Sequence, residues 1–352
     1  GGLPDGTVDA GTLATNSVTE AKIATDSVTT TKIPAALENT FVSGRKNLFI
    51  NGGFDVWQRG TSLAGATSYL ADRWFNGTTE TQSRQTFTVG QTDVPHNPTY
   101  YHRGTSGSTE WYGLKQAIEN VGITAGREVT LSYWMKGSSA FTNAPYRGQY
   151  FGSGGSSTVS AALSTASITT SWARYTHTFT LPSISGKTVG ASNYMQINLV
   201  RANVNNITID LANCQLEFGD TATDFEQRSH GEELALCQRY FYQQNSKNIS
   251  YDLILPAMVI DPDDANTAWQ PPTSLRATPT VSVSNADHTC LNYNGGNRVT
   301  RVNYSVNTNS NNGTSVYLNL DVNSNVLTVG QMVFLAFDNS ISGGWIRFDA
   351  EL

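Results

Sequence analysis

Two stretches of the sequence combine aromatic, amide and cationic side chains in the alternating pattern of a β-strand. In LSYWMKG (131–137) and YMQINLV (194–200), every second residue is apolar. Successive side chains of a strand point to opposite faces of a sheet, so the residues in between are predicted to share an outer face. These residues are Trp134, Lys136, Tyr194, Gln196 and Asn198.

That set of residue types suits the binding of sugars. Aromatic rings stack on the apolar C–H faces of sugar rings, and amide or charged groups hydrogen-bond the hydroxyls. The alternative is that Trp134 packs under a loop as part of the core, since large aromatic residues are mostly buried. The group as a whole predicts glycan binding more strongly than any single member does.

A second candidate site is NAPYRGQYFGSGG (143–155), in which glycines flank aromatic residues. The glycines predict a surface loop, and loops on a rigid scaffold often carry binding residues. Its candidate sugar contacts are Tyr146, Arg147, Tyr150 and Phe151.

The elements that position these residues are short strands joined by turns. From residue 47 onward, apolar runs alternate with Gly, Ser and Asn, and only 14% of the 352 residues are charged. This texture predicts an all-β chain with a sandwich of two antiparallel sheets. The clearest predicted strands are 47–52, 127–137, 173–182, 194–200 and 206–219. Their inward positions are Val129, Leu131, Tyr133, Met135, Met195, Ile197 and Leu199.

One helix is predicted in HGEELALCQRYFYQQ (230–244), because acidic residues favour its start and apolar residues recur at three- and four-residue spacing. That apolar stripe consists of Leu234, Cys237, Tyr240 and Phe241. Further strand-like runs follow it. The predicted organisation is a stalk and neck at 1–44, a sandwich at 45–228, a connecting helix at 229–245 and a small C-terminal β-domain at 246–352.

The stalk prediction rests on a ten-residue repeat at the N-terminal end. VDAGTLATNS, VTEAKIATDS and VTTTKI follow one another, and a large apolar residue falls at every fifth position. A single copy cannot bury these residues, so a homotrimer that packs them on a shared axis is predicted. The trimer contacts would be Val8, Leu13, Val18, Ile23, Val28 and Ile33. A capping-box pattern beginning at Ser17 leaves a helical turn in each unit as an alternative to a strand.

Composition and motifs argue against several functions. A net charge of −6 disfavours nucleic-acid binding, and no apolar run is long enough to insert into a membrane. The three cysteines are far apart, which predicts buried thiols rather than disulfides or a zinc site. No nucleophile-elbow, HExxH, P-loop or dinucleotide-binding pattern occurs, so an enzyme is not predicted.

The stretches NLFINGGFDVWQRG (47–60), LADRW (70–74), LSYWMKG and QLEFGDTATDFEQRSHGEELALCQRYF (215–241) together resemble a known family. They look like the carbohydrate-binding-module-like β-sandwich of phage tail fibres and related virion proteins. The resemblance implies a jelly-roll-like fold, a homotrimer and an extracellular place on the virion. It also implies contact with other tail or baseplate proteins through the N-terminal end, and attachment to host surface polysaccharide.

The resemblance also bears on individual residues. Trp57 and Trp74 are expected in the core, with Asp72 or Arg73 in a buried polar link, because buried charges usually occur in pairs. Related sandwiches often hold a structural calcium near the first and last strands, where Asp55 and Asp210 are the available carboxylates. Two carboxylates do not make a calcium cage, so no cofactor is predicted.

The sequence therefore predicts a non-enzymatic tail fibre or receptor-binding protein that attaches a virion to cell-surface glycan. One alternative is a purely structural fibre or decoration protein without a ligand of its own. A polysaccharide depolymerase is the less favoured alternative, because two catalytic carboxylates can come from distant positions in a sequence.

Overall fold

The computed structural model describes most of the chain beyond the repeat. The described ranges are 45–78, 80–107, 113–201, 204–245, 252–284, 288–292, 298–300, 302–306, 315–322, 327–337 and 344–352. The stalk, the neck and the six predicted trimer contacts lie outside these residues. The homotrimer therefore stays a prediction.

Fourteen strands of the described residues precede the helix. They are β1 (Ser62–Leu63), β2 (Ser68–Tyr69), β3 (Phe75–Asn76), β4 (Thr81–Thr86), β5 (Tyr100–Thr105), β6 (Leu114–Glu119), β7 (Glu128–Gly137), β8 (Phe141–Asn143), β9 (Tyr146–Tyr150), β10 (Val159–Ala162), β11 (Ala166–Ile168), β12 (Ala173–Thr180), β13 (Tyr194–Asn198) and β14 (Thr208–Phe218).

Two antiparallel six-stranded sheets form the predicted sandwich. Sheet I has the order β1-β4-β5-β14-β7-β12, and sheet II has the order β10-β9-β13-β6-β3-β2. The core between them includes all seven residues predicted to point inward, each with no exposed surface: Val129, Leu131, Tyr133, Met135, Met195, Ile197 and Leu199. The all-β fold and the inward positions of these seven residues are confirmed. The alternation of apolar and polar residues predicts these positions correctly, because the buried face of each strand must be apolar.

Two predictions of local structure are wrong. Residues 47–52 form no strand. Side chains instead accept hydrogen bonds from backbone amides of this segment. The amide of Asn51 donates to Glu233 Oε1 (2.5 Å), and that of Ile50 donates to Gln116 Oε1 (2.8 Å). Conversely, the predicted loop around Tyr146 is strand β9, which pairs with β10 and β13.

The helix α1 runs from His230 to Gln238 and is shorter than predicted. Ser229 caps it by accepting a hydrogen bond from the amide of Glu232 (3.3 Å). The chain then leaves the helix to form strand β15, Phe241–Asn245, which pairs with the last strand near the C-terminal end. The residues of β15 therefore pair with a distant strand, although the spacing of apolar residues predicts that the helix continues through them.

The remaining described strands build two further sheets. They are β16 (Asp252–Asp261), β17 (Asp264–Trp269), β18 (Thr280–Val283), β19 (His288–Asn292), β20 (Arg298–Thr300), β21 (Val302–Val306), β22 (Val316–Val322), β23 (Met332–Phe337) and β24 (Trp345–Asp349). One sheet has the order β15-β24-β18, and the other has the order β20-β19-β23-β16-β17-β22-β21.

A buried ionic cluster, the arginine clamp, joins the last residues of the described chain to the sandwich. It consists of Arg59, Asp72, Arg73 and Glu351. Arg59 pairs with Asp72 (2.8 Å) and with Glu351 (3.2 Å), and Arg73 also pairs with Glu351. The guanidinium of Arg73 stacks on the ring of Tyr240 at 3.4 Å. The predicted buried polar link at 72–73 is confirmed, and its partner lies at the far end of the sequence.

The aromatic residues of the same motifs are buried as expected. Trp74 has no exposed surface and Trp57 is 9% exposed. Cys214 and Cys237 are buried free thiols, as predicted, and burial raises the pKa of each. No helix within the described ranges combines the length and the apolar character needed to cross a bilayer.

Candidate glycan-binding faces

Strands β9, β13 and β6 place a row of polar and aromatic side chains on the outer face of sheet II. In the register of the sheet, Tyr150 lies opposite Tyr194, and Tyr146 lies opposite Asn198. Gln196 lies between Tyr194 and Asn198 on the same face of β13. We call this surface the tyrosine face: Tyr146, Tyr150, Tyr194, Gln196 and Asn198. It joins residues from both candidate segments of the sequence.

The rings of Tyr150 and Tyr194 stack, with centroids 4.7 Å apart and an angle of 18° between their planes. A glycine at 148 makes room for this pair, because a Cβ there would lie 2.6 Å from Cε2 of Tyr150. Burial raises the pKa of both phenols. Both hydroxyls therefore remain neutral hydrogen-bond donors at physiological pH.

A cavity of about 140 Å³ extends the tyrosine face towards the C-terminal end of the chain. Its lining includes Tyr194 and Gln196 together with Tyr69, Phe75, Lys115, Ala117 and Leu352. The ammonium group of Lys115 lies 4.9 Å from the centre of the Phe75 ring, and burial lowers its pKa. The phenol of Tyr69 donates to the backbone oxygen of Leu352 (3.1 Å). The C-terminal residues thus complete one wall of this cavity.

The other residues of the predicted 146–151 site differ in orientation. The Tyr146 hydroxyl donates to Ser160 Oγ (2.5 Å), at the edge of the tyrosine face. Arg147 lies one position along the strand, opposite core residue Ile197, and so belongs to the other side of sheet II. Phe151 is 1% exposed. Strand alternation therefore keeps Arg147 and Phe151 away from the tyrosine face.

Trp134 and Lys136 lie on the outer face of sheet I, on the opposite side of the sandwich from Tyr194. The expectation that β7 and β13 share one outer face is wrong, because each strand pairs into a different sheet. We call this second surface the tryptophan face: Phe87, Tyr101, Trp134, Lys136 and Trp172. Trp134 is half-buried here. Its contact with sugar stays a prediction.

The groups of the tryptophan face are largely engaged with one another. The rings of Phe87, Tyr101 and Trp172 lie 4.6–5.4 Å apart, in tilted or edge-on contacts. Asp210 accepts two hydrogen bonds from Arg103 (2.7 and 2.8 Å) and lies 3.7 Å from the ammonium group of Lys136. Phe87, Tyr101, Trp172 and Lys136 are thus in contact with neighbouring side chains of this surface.

The two calcium candidates lie in different surroundings. Asp210 is committed to Arg103, whereas Asp55 lines a cavity beside Glu233 and His230. Within the described ranges, no group of three or more acidic, histidine or cysteine side chains is placed to hold a metal ion. A structural calcium therefore remains a suggestion of the resemblance alone.

Sequence reasoning missed Lys115, Phe75 and Tyr69. The alternation of LKQAIE at 114–119 places Lys115 on an outer face, and that signal is readable. The pairing of β6 with β13, which brings Lys115 opposite Asn198, is a long-range contact that no local pattern encodes.

Comparison with known proteins finds a family model that matches part of this chain. Residues 46–192 match the family model described as carbohydrate binding domain. No curated protein matches the chain.

Among solved structures, the chain is similar to a putative sugar binding protein from Bacteroides thetaiotaomicron. The two are 12% identical, the match covers 49% of this chain and 100% of the other, and the TM-score is 0.34. The CBM22-1 xylan-binding domain from Paenibacillus barcinonensis Xyn10C is 11% identical over 46% of this chain and 94% of its own, with a TM-score of 0.31.

A third similar structure contains the CBM22-1-GH10 modules of Clostridium thermocellum endo-1,4-beta-D-xylanase 10B, complexed with xylohexaose. It is 11% identical over 51% of this chain, with a TM-score of 0.33, and the match spans 30% of the xylanase chain. Residues 46–192, which match the family model described as carbohydrate binding domain, lie in the part of the chain that forms the two facing sheets.

Proposed function

We propose that this protein is a non-enzymatic glycan-binding protein whose sandwich recognises polysaccharide through the tyrosine face. The observation that carries the proposal is the stacked Tyr150–Tyr194 pair beside the cavity that Gln196 and Lys115 line. The phenol rings offer apolar surface to a sugar ring, and the amide and ammonium groups offer hydrogen bonds to its hydroxyls.

The proposed setting is the tail fibre or a related appendage of a bacteriophage, where the protein attaches the virion to the host surface. Support comes from the resemblance of its motifs and from the decapeptide repeat. A homotrimer would present three tyrosine faces to one surface, so weak individual sugar contacts would add up to stable attachment. Tail or baseplate proteins would hold the N-terminal end.

The proposed role is binding rather than catalysis. The matched family is described as a carbohydrate binding domain, and the tyrosine face presents phenol, amide and ammonium groups. Glycoside hydrolysis needs a pair of carboxyl groups on either side of the scissile bond. Glu119 is the carboxylate nearest in register to Tyr194, and it pairs with Arg239 (3.0 Å).

The experiment is a glycan array probed with the full chain and with the Tyr194→Ala variant. We expect the full chain to retain a set of host-type polysaccharides and the variant to lose that signal. Glu128→Ala, a change at an exposed position in sheet I, is the matched control and should bind like the full chain.

Two results would overturn the proposal. If no glycan is retained by correctly folded protein, the structural-fibre alternative replaces it. If retained polysaccharide releases reducing ends, and mutation of one Asp or Glu stops the release, the depolymerase alternative replaces it.

The trimer is tested separately by light scattering. The full chain should have three times the mass of one chain, and changing Val18 and Ile23 to Asp should lower that mass, because charges would be buried on the shared axis. A monomeric full chain would contradict the stalk hypothesis and leave the tyrosine face unaffected.

A further inference from the structure

A straight row of side chains crosses sheet II from strand β9 to the edge strand β2. The register of the sheet aligns its members from one strand to the next. In order, they are Tyr146, Asn198, Lys115, Phe75 and Tyr69. Because neighbouring strands are about 4.8 Å apart, the four steps from β9 to β2 span about 19 Å. The row therefore forms a track of aromatic and polar groups that runs across the strands.

The two ends of this track differ. Beyond β9, strand β10 forms the edge of the sheet, and its Ser160 and Ala162 are small and exposed. Ala162 lies opposite Tyr146, so an alanine continues the row there. At the other end, the phenol of Tyr69 donates to the backbone oxygen of Leu352 (3.1 Å), and both residues line the cavity beside Tyr194. The track is thus open at β10 and closed at β2.

The segment that closes the track is held by hydrogen bonds and ion pairs at each of its residues. The backbone oxygens of Ala350 and Glu351 accept from the guanidinium of Arg276 (2.8 and 2.9 Å). The carboxylate of Glu351 belongs to the arginine clamp, and Tyr69 holds Leu352. Because these contacts already order the segment, a ligand that meets it has little further ordering cost. The segment is therefore a preorganised wall.

The size of the closed cavity limits what it can hold. Its volume of about 140 Å³ is below the about 300–1,000 Å³ that is typical of sites for drug-sized ligands. Gln196 and Lys115 line it with amide and ammonium groups, which hydrogen-bond hydroxyls. Phe75 and Tyr69 add aromatic surface, in edge-on contact at 5.1 Å. These features suit one sugar unit, and a longer glycan has to leave along the track towards β10.

We propose that the tyrosine face recognises the end of a glycan chain, with the terminal sugar unit in the cavity against Leu352 and the following units along the track towards β10. This inference rests on the proposed glycan-binding function and adds the class of substrate. A groove that is open at both ends accepts internal segments of a polysaccharide, whereas a groove closed at one end requires a free chain end. Leu352 is the specificity-determining residue, because it leaves no room for a further unit.

The test is a competition experiment on the full chain. The probes are xylan, mannan and pullulan, together with any further polysaccharide that the glycan array retains. Each probe is used intact and after limited acid hydrolysis. At equal mass, hydrolysis multiplies the chain ends and leaves the amount of internal sugar nearly unchanged. We therefore expect the hydrolysate to compete more strongly than the intact polysaccharide, by the same factor as the increase in chain ends.

Two variants locate the effect. Leu352→Gly removes the side chain at the closed end and should abolish the advantage of the hydrolysate. Ala162→Gly is a change of similar kind at the open end, where the residue is exposed, and it should keep the full advantage. A folded Leu352→Gly variant that keeps the advantage would contradict the proposal.

The outcomes also separate this inference from the proposed function. If intact and hydrolysed polysaccharide compete equally, and Tyr194→Ala abolishes binding of both, the tyrosine face binds glycan and end recognition is wrong. If the folded full chain binds no probe, the proposed function fails, and end recognition fails with it.

Discussion

The two outer faces of the sandwich contain similar residue types and differ in how those residues are engaged. On the tryptophan face, Asp210 is shared between Arg103 and Lys136, and three aromatic rings pack against one another. On the tyrosine face, Tyr150 and Tyr194 stack beside an open cavity. Composition alone does not distinguish a binding surface from a surface held together by its own contacts.

The same distinction applies to charges elsewhere in the molecule. In the arginine clamp, each buried charge has a partner of opposite sign, and the cluster links Glu351 to Arg59 and Arg73 of the sandwich. The carboxylate of Asp55 has neither a hydrogen bond nor an ion pair within the described residues, although the nearby His230 favours its charged form. We expect loss of a paired group to weaken the fold, and loss of an unpaired group to leave the fold intact or more stable.

The largest expected effect is at the arginine clamp. Glu351→Ala removes the carboxylate partner of Arg73, whose side chain is 1% exposed. Removal of one partner from a buried pair costs about 3–5 kcal/mol, because the remaining charge stays buried without compensation. Urea denaturation should show this loss. Glycan binding should weaken as well, since the adjoining Leu352 lines the cavity of the tyrosine face.

Glu128→Ala is the matched control for the clamp, because this residue is exposed at the start of β7. Its unfolding free energy should stay within about 0.5 kcal/mol of the unmodified protein. If both variants lose the same stability, the clamp does not stabilise the fold.

The second prediction concerns the unpaired carboxylate of Asp55. Burial, with a smaller contribution from Glu233, raises its pKa to about 6. A raised pKa means that the stability linked to this group is present below about pH 4 and is lost as the pH rises through 6. Asp55→Asn cannot ionise, so it should be more stable than the unmodified protein by about 2–3 kcal/mol at pH 8.

Near pH 4 the two proteins should have similar unfolding free energies, because Asp55 is then protonated in the folded state. Urea denaturation at both pH values measures the difference. A variant that is less stable than the unmodified protein at pH 8 would show that Asp55 is a paired, stabilising group.

The sequence was sufficient for the features that depend on local alternation or on the recognised motifs. The inward residues of β7 and β13 followed from a two-residue period, and Trp57 and Trp74 followed from the resemblance. The partner of Arg73 could not be predicted, because Glu351 lies 278 positions away. Nor could the separation of Trp134 from Tyr194, which depends on the sheet that each strand joins.

The strand at 146–150 shows a different limit. Its glycines favour a loop, yet Gly148 lies within the strand, where a Cβ would lie 2.6 Å from the ring of Tyr150. A glycine can therefore mark a close side-chain contact as well as a turn. The predicted helix is too long, because the apolar spacing continues into β15. The partner of that strand, β24, is remote in sequence.

The third prediction compares the two faces directly. Tyr194→Ala removes one member of the stacked pair and should weaken glycan binding by about 1–3 kcal/mol, in the range of stacking on aromatic side chains. Trp134→Ala should weaken it by less than about 0.5 kcal/mol, because its face is opposite the cavity. Isothermal titration with a glycan from the array measures both. If Trp134→Ala has the larger effect and folds normally, the binding face is on sheet I.

The smallest expected effect is that of Lys136→Met on the tryptophan face. Its ammonium group lies 3.7 Å from Asp210 and 5.1 Å from the ring of Trp172, and its side chain is 31% exposed. Partly exposed ion pairs contribute about 0–1 kcal/mol, and Arg103 still neutralises Asp210 in the variant. Unfolding free energy should therefore fall by less than about 1 kcal/mol, and glycan affinity should not change. A loss of affinity with stability intact would mean that Lys136 contacts the sugar and that the tryptophan face, despite its internal pairing, is a binding surface.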